Sequence, residues 1–207
     1  MPSKKQGRED RNHAKVFGIG WAKTGTTTLG SCFRLLGLRH ASQRLDLVSA
    51  MQEGDSARIH SVVDEHDSFE DWPWILLYSQ LDQAYRASRF VLTVRDDERW
   101  LRSYRGMLAR EGSPSSELNE VRRVLYGLPF PDVTDEQLLS RYRAHNDRVL
   151  EYFNHRQNAL LVVDWERGDG WSELCDFLGA SPPGVPFPHE NRGTKHPRSP
   201  IPNSSSA

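Results

Sequence analysis

At 207 residues, 37% hydrophobic and 27% charged, the chain can form one domain whose core needs neither disulfides nor metals. A formal net charge of −1 excludes the overall field of a nucleic-acid or anionic-membrane binder, so neither partner is expected. Cys32 and Cys175 make no disulfide framework, no apolar run approaches the ~20 residues of a membrane span, and Met1-Pro2-Ser3-Lys4-Lys5-Gln6 is not leader-like, so a cytoplasmic protein is expected.

Residues 1–14 read as a flexible polar arm, 15–195 as one domain, and 196–207 as a disordered tail in an end dense in Pro, Gly and Ser. Within the domain, Lys15 to Gly20 reads as a short buried strand. Thr26 to Leu38 then reads as a helix with Leu29, Phe33 and Leu36 on one face. Asp55 to His66 is a second helix, with Ile59, Val62 and Val63 inward, and Ser68-Phe69-Glu70 a brief strand. Pro73 suits the first position of a helix over 74–87 that carries Leu77, Leu81 and Tyr85. Phe90 to Val94 is the clearest strand. A helix from Asp97 to Leu108 follows, with Asp96 as its N-cap and Glu98 favouring its dipole. After a helix near Glu117 to Leu125, Thr134 and Gln137 have capping-box spacing and open a helix bearing Leu138, Tyr142, Val149 and Phe153. Leu160 to Asp164 is a buried strand, and Trp171 to Leu178 a helix ended by Gly179. Apolar strands alternating with helices predict an α/β fold with a parallel sheet, whose ligands sit beyond the carboxyl ends of the strands.

The chemistry concentrates at three such ends. Gly18-Ile19-Gly20-Trp21-Ala22-Lys23-Thr24-Gly25-Thr26-Thr27-Thr28 joins the first strand to the first helix, a turn that presents backbone N–H groups and a positive dipole end to an anion. It is no dinucleotide fingerprint, because Lys23 stands where the third glycine belongs. It is no Walker A loop either, because Thr26 stands where the lysine is required. Arg95 ends the strand Phe90 to Val94, and Ser103 follows eight residues later in the next helix, so a guanidinium and a hydroxyl can grip one phosphate. Asp71 follows the brief strand, two residues before Pro73. Blander roles compete: Asp71 as a helix cap or ionic support of Lys23, Arg95 as the partner of Asp96 or of a surface carboxylate.

Together these segments resemble the sulfotransferase family. Lys23-Thr24-Gly25-Thr26-Thr27 is similar to the family's 5′-phosphosulfate loop, and Arg95 with Ser103 to its 3′-phosphate pattern. Asp71 stands where cytosolic sulfotransferases carry the catalytic histidine, which resembles a bacterial-type acidic branch. The resemblance implies a P-loop NTPase-like three-layer fold and transfer of a sulfuryl group from 3′-phosphoadenosine 5′-phosphosulfate to an acceptor hydroxyl or amine. It implies that Lys23, Thr24, Gly25, Thr26, Thr27 and Thr28 hold the 5′-phosphosulfate and that Arg95 and Ser103 hold the 3′-phosphate. Lys23 and Asp71 would be catalytic, and no metal would be required. Glu70, His66 and His60 compete with Asp71 as base. Within Phe187 to Lys195, which resembles the closing segment of bacterial members, Arg192-Gly193 partly matches a turn that completes the 3′-phosphate site. The acceptor would be a small molecule or carbohydrate. Trp72, Trp74, Tyr78, Trp100, Tyr104, Tyr126 and Phe130 can line its pocket or simply be core. Two other readings stay open: a P-loop nucleoside or small-molecule kinase, since Leu160 to Asp164 looks like a Walker B strand, and a non-catalytic nucleotide- or anion-binding protein.

Overall fold

Successive strand residues point to opposite faces of a sheet, and this chain buries both. The computed structural model describes residues 14–112 and 115–188. The strands are β1 (Val16–Gly18), β2 (His40–Ala41), β3 (Ser68–Phe69), β4 (Arg89–Thr93) and β5 (Leu160–Val163). They form one sheet in the order β2-β3-β1-β4-β5, parallel at every pairing. In register, Phe17 lies between Phe69 and Phe90, its ring stacked on theirs at 4.7 and 5.4 Å. Phe17, Phe90 and Leu92 belong to the core on one face; Val16 and Val91 pack with Leu29, Phe33 and Leu174 on the other.

The expected α/β class holds: helices α1 (Thr26–Leu35), α2 (Val48–Glu53), α3 (Ser56–Glu65), α4 (Tyr78–Ala84), α5 (Asp97–Glu111), α6 (Ser116–Tyr126), α7 (Asp135–Phe153) and α8 (Trp171–Leu178) flank a central parallel sheet. The caps read in the sequence form. Asp96 accepts from Arg99 N, Thr134 and Gln137 close a capping box, and Gly179 ends α8 in the left-handed region.

Two points differ from expectation. The helix over 74–87 divides into a 3-10 turn, Trp74–Leu76, and α4, and Pro73 precedes the turn. Trp74, Ile75 and Leu77 are all buried, and Trp74 Nε1 donates to Ser42 O at 2.9 Å, which favours tighter winding there than an even 3.6-residue helix. β2 and the segment 45–53, a 3-10 turn running into α2, were not expected at all. The aromatic residues Trp72, Trp74, Trp100, Tyr104, Tyr126 and Phe130 are core, none more than 3% exposed. Among the described residues no helix is long and apolar enough to cross a membrane.

β1 is the strand from which the sheet is built outward in both directions, with β3 on one side and β4 on the other. The crevice beyond its carboxyl end is therefore a topological switch point, flanked by the ends of β3 and β4.

Candidate active site

Residues from the segments that follow β1, β3 and β4 meet at that crevice. A cavity of about 240 Å³ is lined by Ala22, Lys23, Gly25, Thr26 and Thr27 from the loop after β1, Asp71 after β3, Arg95 after β4, and Ser103 and Met107 of α5. Three segments separated by long stretches of chain thus place a lysine, a carboxylate, an arginine and two kinds of hydroxyl around one space.

The loop is shaped from behind. Its carbonyls are drawn back into the protein: Ile19 O accepts from His145 Nε2 at 2.7 Å and Ala22 O from Trp100 Nε1 at 2.8 Å. Lys23 O accepts from Arg95 Nη1 and Gly25 O from Trp165 Nε1, both at 3.3 Å. Trp21 O takes both the N–H and the hydroxyl of Thr24. With its carbonyls held inside, the loop enters α1 with no side chain capping the first turn, so the N–H groups of Thr26 and Thr27 lack partners within the helix. This is the geometry of an anion cradle.

Two glycines make it possible. A Cβ on Gly20 would lie 2.5 Å from Thr93 O, and one on Gly25, whose φ is +98°, would lie 2.3 Å from Trp165 Cδ1. The threonines divide by role. Thr26 and Thr27 line the cavity, whereas Thr24 is buried with its hydroxyl against Thr93 Oγ1 and Trp21 O, and Thr28 is buried. Neither Thr24 nor Thr28 is among the lining residues. Arg192 lies outside the described residues, as do His189 and nearly all of the expected arm and tail.

Among the described residues, Lys23 (φ 74°) and Asp71 (φ 70°) are the non-glycine residues with left-handed backbone, and both face the cavity. Such a conformation costs roughly 1–2 kcal/mol for an L-residue, so the surrounding packing imposes it. Burial, and after it the charges of Arg110 and Arg95, lower the Lys23 ammonium from its ordinary value against the opposing pull of Asp71 and Glu111. Burial, then the neighbouring Glu70, push the Asp71 carboxyl up to about 7, although the Trp72 N–H and Lys23 pull the other way. Asp71 Oδ1 accepts from Trp72 N at 2.8 Å, so the side chain braces its own turn and caps no helix.

The competing bases sit elsewhere. Glu70 is buried behind the strand, accepting from Ser42 Oγ, with His40 Nε2 3.5 Å away. His66 Nδ1 donates to Val62 O, and His60 packs edge-on to Tyr85. Of the four, Asp71 alone lines the cavity. Asp164, the carboxylate a Walker B reading would use, accepts from Glu166 N at 3.0 Å and pairs with Arg167. Among the described residues no three His, Cys, Asp or Glu side chains are grouped to hold a metal ion.

Three residues that the sequence did not flag complete the site. Tyr142 of α7 clamps the backbone of Arg95, accepting from its N–H at 2.9 Å and donating to its carbonyl at 2.8 Å, and stacks on Trp100 at 4.3 Å. His145, one turn on, holds Ile19; its burial lowers the imidazole to about 4, so it is neutral at pH 7. Glu166, after β5, pairs with both Arg95 and Arg99. No local pattern marks any of the three, since each acts across 47 residues or more.

A switch-point cradle followed by an arginine–serine pair is an arrangement that can hold an anion. The chain matches the sulfotransferase domain over residues 15–196, and it belongs to that family. Its fold is accordingly sulfotransferase-like, and the family supports sulfuryl-transfer chemistry in general. It is also similar to Ava biosynthesis cluster protein M of Aspergillus versicolor, with 23% identity over 212 residues, covering 84% of this chain and 80% of that protein.

Proposed function

We propose that the protein transfers a sulfuryl group from 3′-phosphoadenosine 5′-phosphosulfate to a hydroxyl of a small-molecule acceptor. The observation that carries this reading is the shared cavity: Lys23, Thr26, Asp71, Arg95 and Ser103 line one space of about 240 Å³. The residues fit the donor on a separate ground. Arg95 Nε is buried without a hydrogen-bond partner, a donor in want of an anion, beside a helix start that no side chain caps. When bound, the donor supplies the sulfuryl group and a bisphosphorylated adenosine as its leaving group.

Each residue then has a physical task. The loop N–H groups and the hydroxyls of Thr26 and Thr27 hold the 5′ anion, and Lys23 places a positive charge where negative charge grows as the S–O bond breaks. Arg95 and Ser103 hold the 3′-phosphate. Asp71, with a carboxyl near neutrality, takes the acceptor's hydroxyl proton as oxygen attacks sulfur. A carboxyl of ordinary acidity would be a far weaker base at pH 7. The name of the Aspergillus versicolor relative refers to a biosynthesis cluster, which favours a small-molecule acceptor here.

Calorimetry with 3′,5′-ADP, AMP and ATP, with and without Mg²⁺, tests the reading. The bisphosphate is expected to bind tightest and independently of Mg²⁺. Magnesium-dependent ATP binding that outcompetes it would overturn the reading in favour of a kinase.

A further inference from the structure

The arginine at the end of β4 does not stand alone. Glu166 spreads its carboxylate across two guanidinium groups, one oxygen on Arg95 Nη2 and the other 3.2 Å from Arg99 Nη1. Arg99 lies on the same stripe of α5 as the cavity residues Ser103 and Met107, each four residues further along the helix. Arg95, Arg99 and Ser103 therefore form a row at one rim of the cavity, and a carboxylate bridges the two cations of that row. Two oxygens between two guanidinium groups is the contact pattern of a bound phosphate.

The carboxylate is presented by a backbone that is rigid without it. Asp164 Oδ1 accepts from Glu166 N, Asp169 Oδ2 accepts from Asp164 N at 2.7 Å, and Trp165 is packed against Gly25. The Glu166 side chain itself is 33% exposed and Arg99 is 59% exposed, so rotation of the side chain alone moves the carboxylate into water. Despite the opposing effect of its partial burial, the hydrogen bonds from Arg95 and Arg99 lower the Glu166 carboxyl, which keeps it anionic at pH 7.

We propose that Arg95 and Arg99 together form the 3′-phosphate site, and that Glu166 is its exchangeable internal counter-ion, displaced when the phosphate enters. The proposal rests on the donor assignment above and adds two residues to it. Arg99 is a specificity-determining ligand, and Glu166 sets the threshold an incoming anion must exceed. A nucleotide without a 3′-phosphate cannot displace the carboxylate and meets only the 5′ cradle.

The test is calorimetric titration of 3′,5′-ADP and of AMP into the wild type, Glu166→Gln and Arg99→Gln. Glu166→Gln keeps the shape and removes the competing charge; it should tighten 3′,5′-ADP about tenfold and leave AMP unchanged. Arg99→Gln should weaken 3′,5′-ADP about tenfold and again leave AMP unchanged. Raised salt should weaken 3′,5′-ADP binding more steeply in Glu166→Gln than in the wild type, because without the carboxylate the two guanidinium groups present a larger net positive charge to the anion. Weaker or unchanged 3′,5′-ADP binding in Glu166→Gln would overturn the proposal, since Glu166 would then merely orient Arg95. An unchanged Arg99→Gln would overturn it equally. A wild type that fails to prefer 3′,5′-ADP over AMP would instead overturn the donor assignment, and this inference with it.

Discussion

Asp71 should make the protein less stable, and replacing it should show this. Its carboxyl stands at about 7 in the folded chain against an ordinary 3.8. Between about pH 4 and pH 7 the folded state therefore holds a proton that the unfolded state has released, so stability falls as pH rises through that window. The cost is absent below about pH 4 and complete above about pH 7. Three units correspond to about 4 kcal/mol, and discounting for the partial exposure of the side chain leaves about 2 kcal/mol. Asp71→Asn removes the charge, can still accept from Trp72 N, and suits the left-handed backbone at least as well as Asp. Thermal unfolding at pH 4 and pH 8 should give near-equal melting at the first and a variant about 4–8 °C more stable at the second. The same substitution should lower turnover by roughly 10²–10⁴ if Asp71 is the base. A variant less stable at pH 8, or a difference that does not change with pH, would refute the burial argument. A stable variant with normal turnover would refute the base.

Lys23→Ala should lose ~2.7–4 kcal/mol of transition-state stabilisation in steady-state kinetics while 3′,5′-ADP affinity falls by less than about tenfold; equal losses would make Lys23 a ground-state ligand only. Gly25→Ala should destabilise the protein by about 2–4 kcal/mol in urea unfolding, because its Cβ would stand 2.3 Å from Trp165 Cδ1 at a φ of +98°. Tyr142→Phe leaves the Arg95 N–H and carbonyl without their partner, so it should cost about 2 kcal/mol of stability and weaken 3′,5′-ADP more than AMP in calorimetry.

The parts of this fold that were legible in the sequence are those written in neighbouring residues. The first strand, expected over Lys15 to Gly20 and found at Val16–Gly18, the clear strand before Arg95, the Asp96 cap and the Thr134–Gln137 box each depend on contacts a few positions apart. His40–Ala41 is too short to show any alternation, and it becomes a strand only because Ser68–Phe69 lies beside it. The 3-10 turn at Trp74 follows from a distant acceptor, Ser42 O, that no local periodicity reveals. Candidate residues were found through motif spacing, and the cavity gathers Lys23, Gly25, Thr26, Thr27, Asp71, Arg95 and Ser103. Their support was not readable. Glu166, Tyr142 and His145 look like ordinary helix and loop residues until the chain is folded. Thr24 shows the converse: the motif includes it, but the partner that takes its hydroxyl, Thr93 Oγ1, is 69 residues away.

α7 gives the site a history as well as a shape. The loop after β1 and Arg95, the arginine proposed to hold phosphate, are both encoded before residue 112, and their spacing is complete there. Yet Ile19 waits for a histidine 126 residues downstream, and the Arg95 backbone for a tyrosine 47 residues downstream. During synthesis, then, a nascent chain passes through a stage at which Lys23, Asp71, Arg95 and Ser103 have all been translated and the pocket is still unsupported. Donor affinity should appear only once Asp135 to Phe153 has emerged and docked, so anion binding can serve as a clock for the arrival of that helix. A fragment stopped short of it would carry Lys23, Asp71, Arg95 and Ser103 at their motif spacing while being unable to hold its ligand.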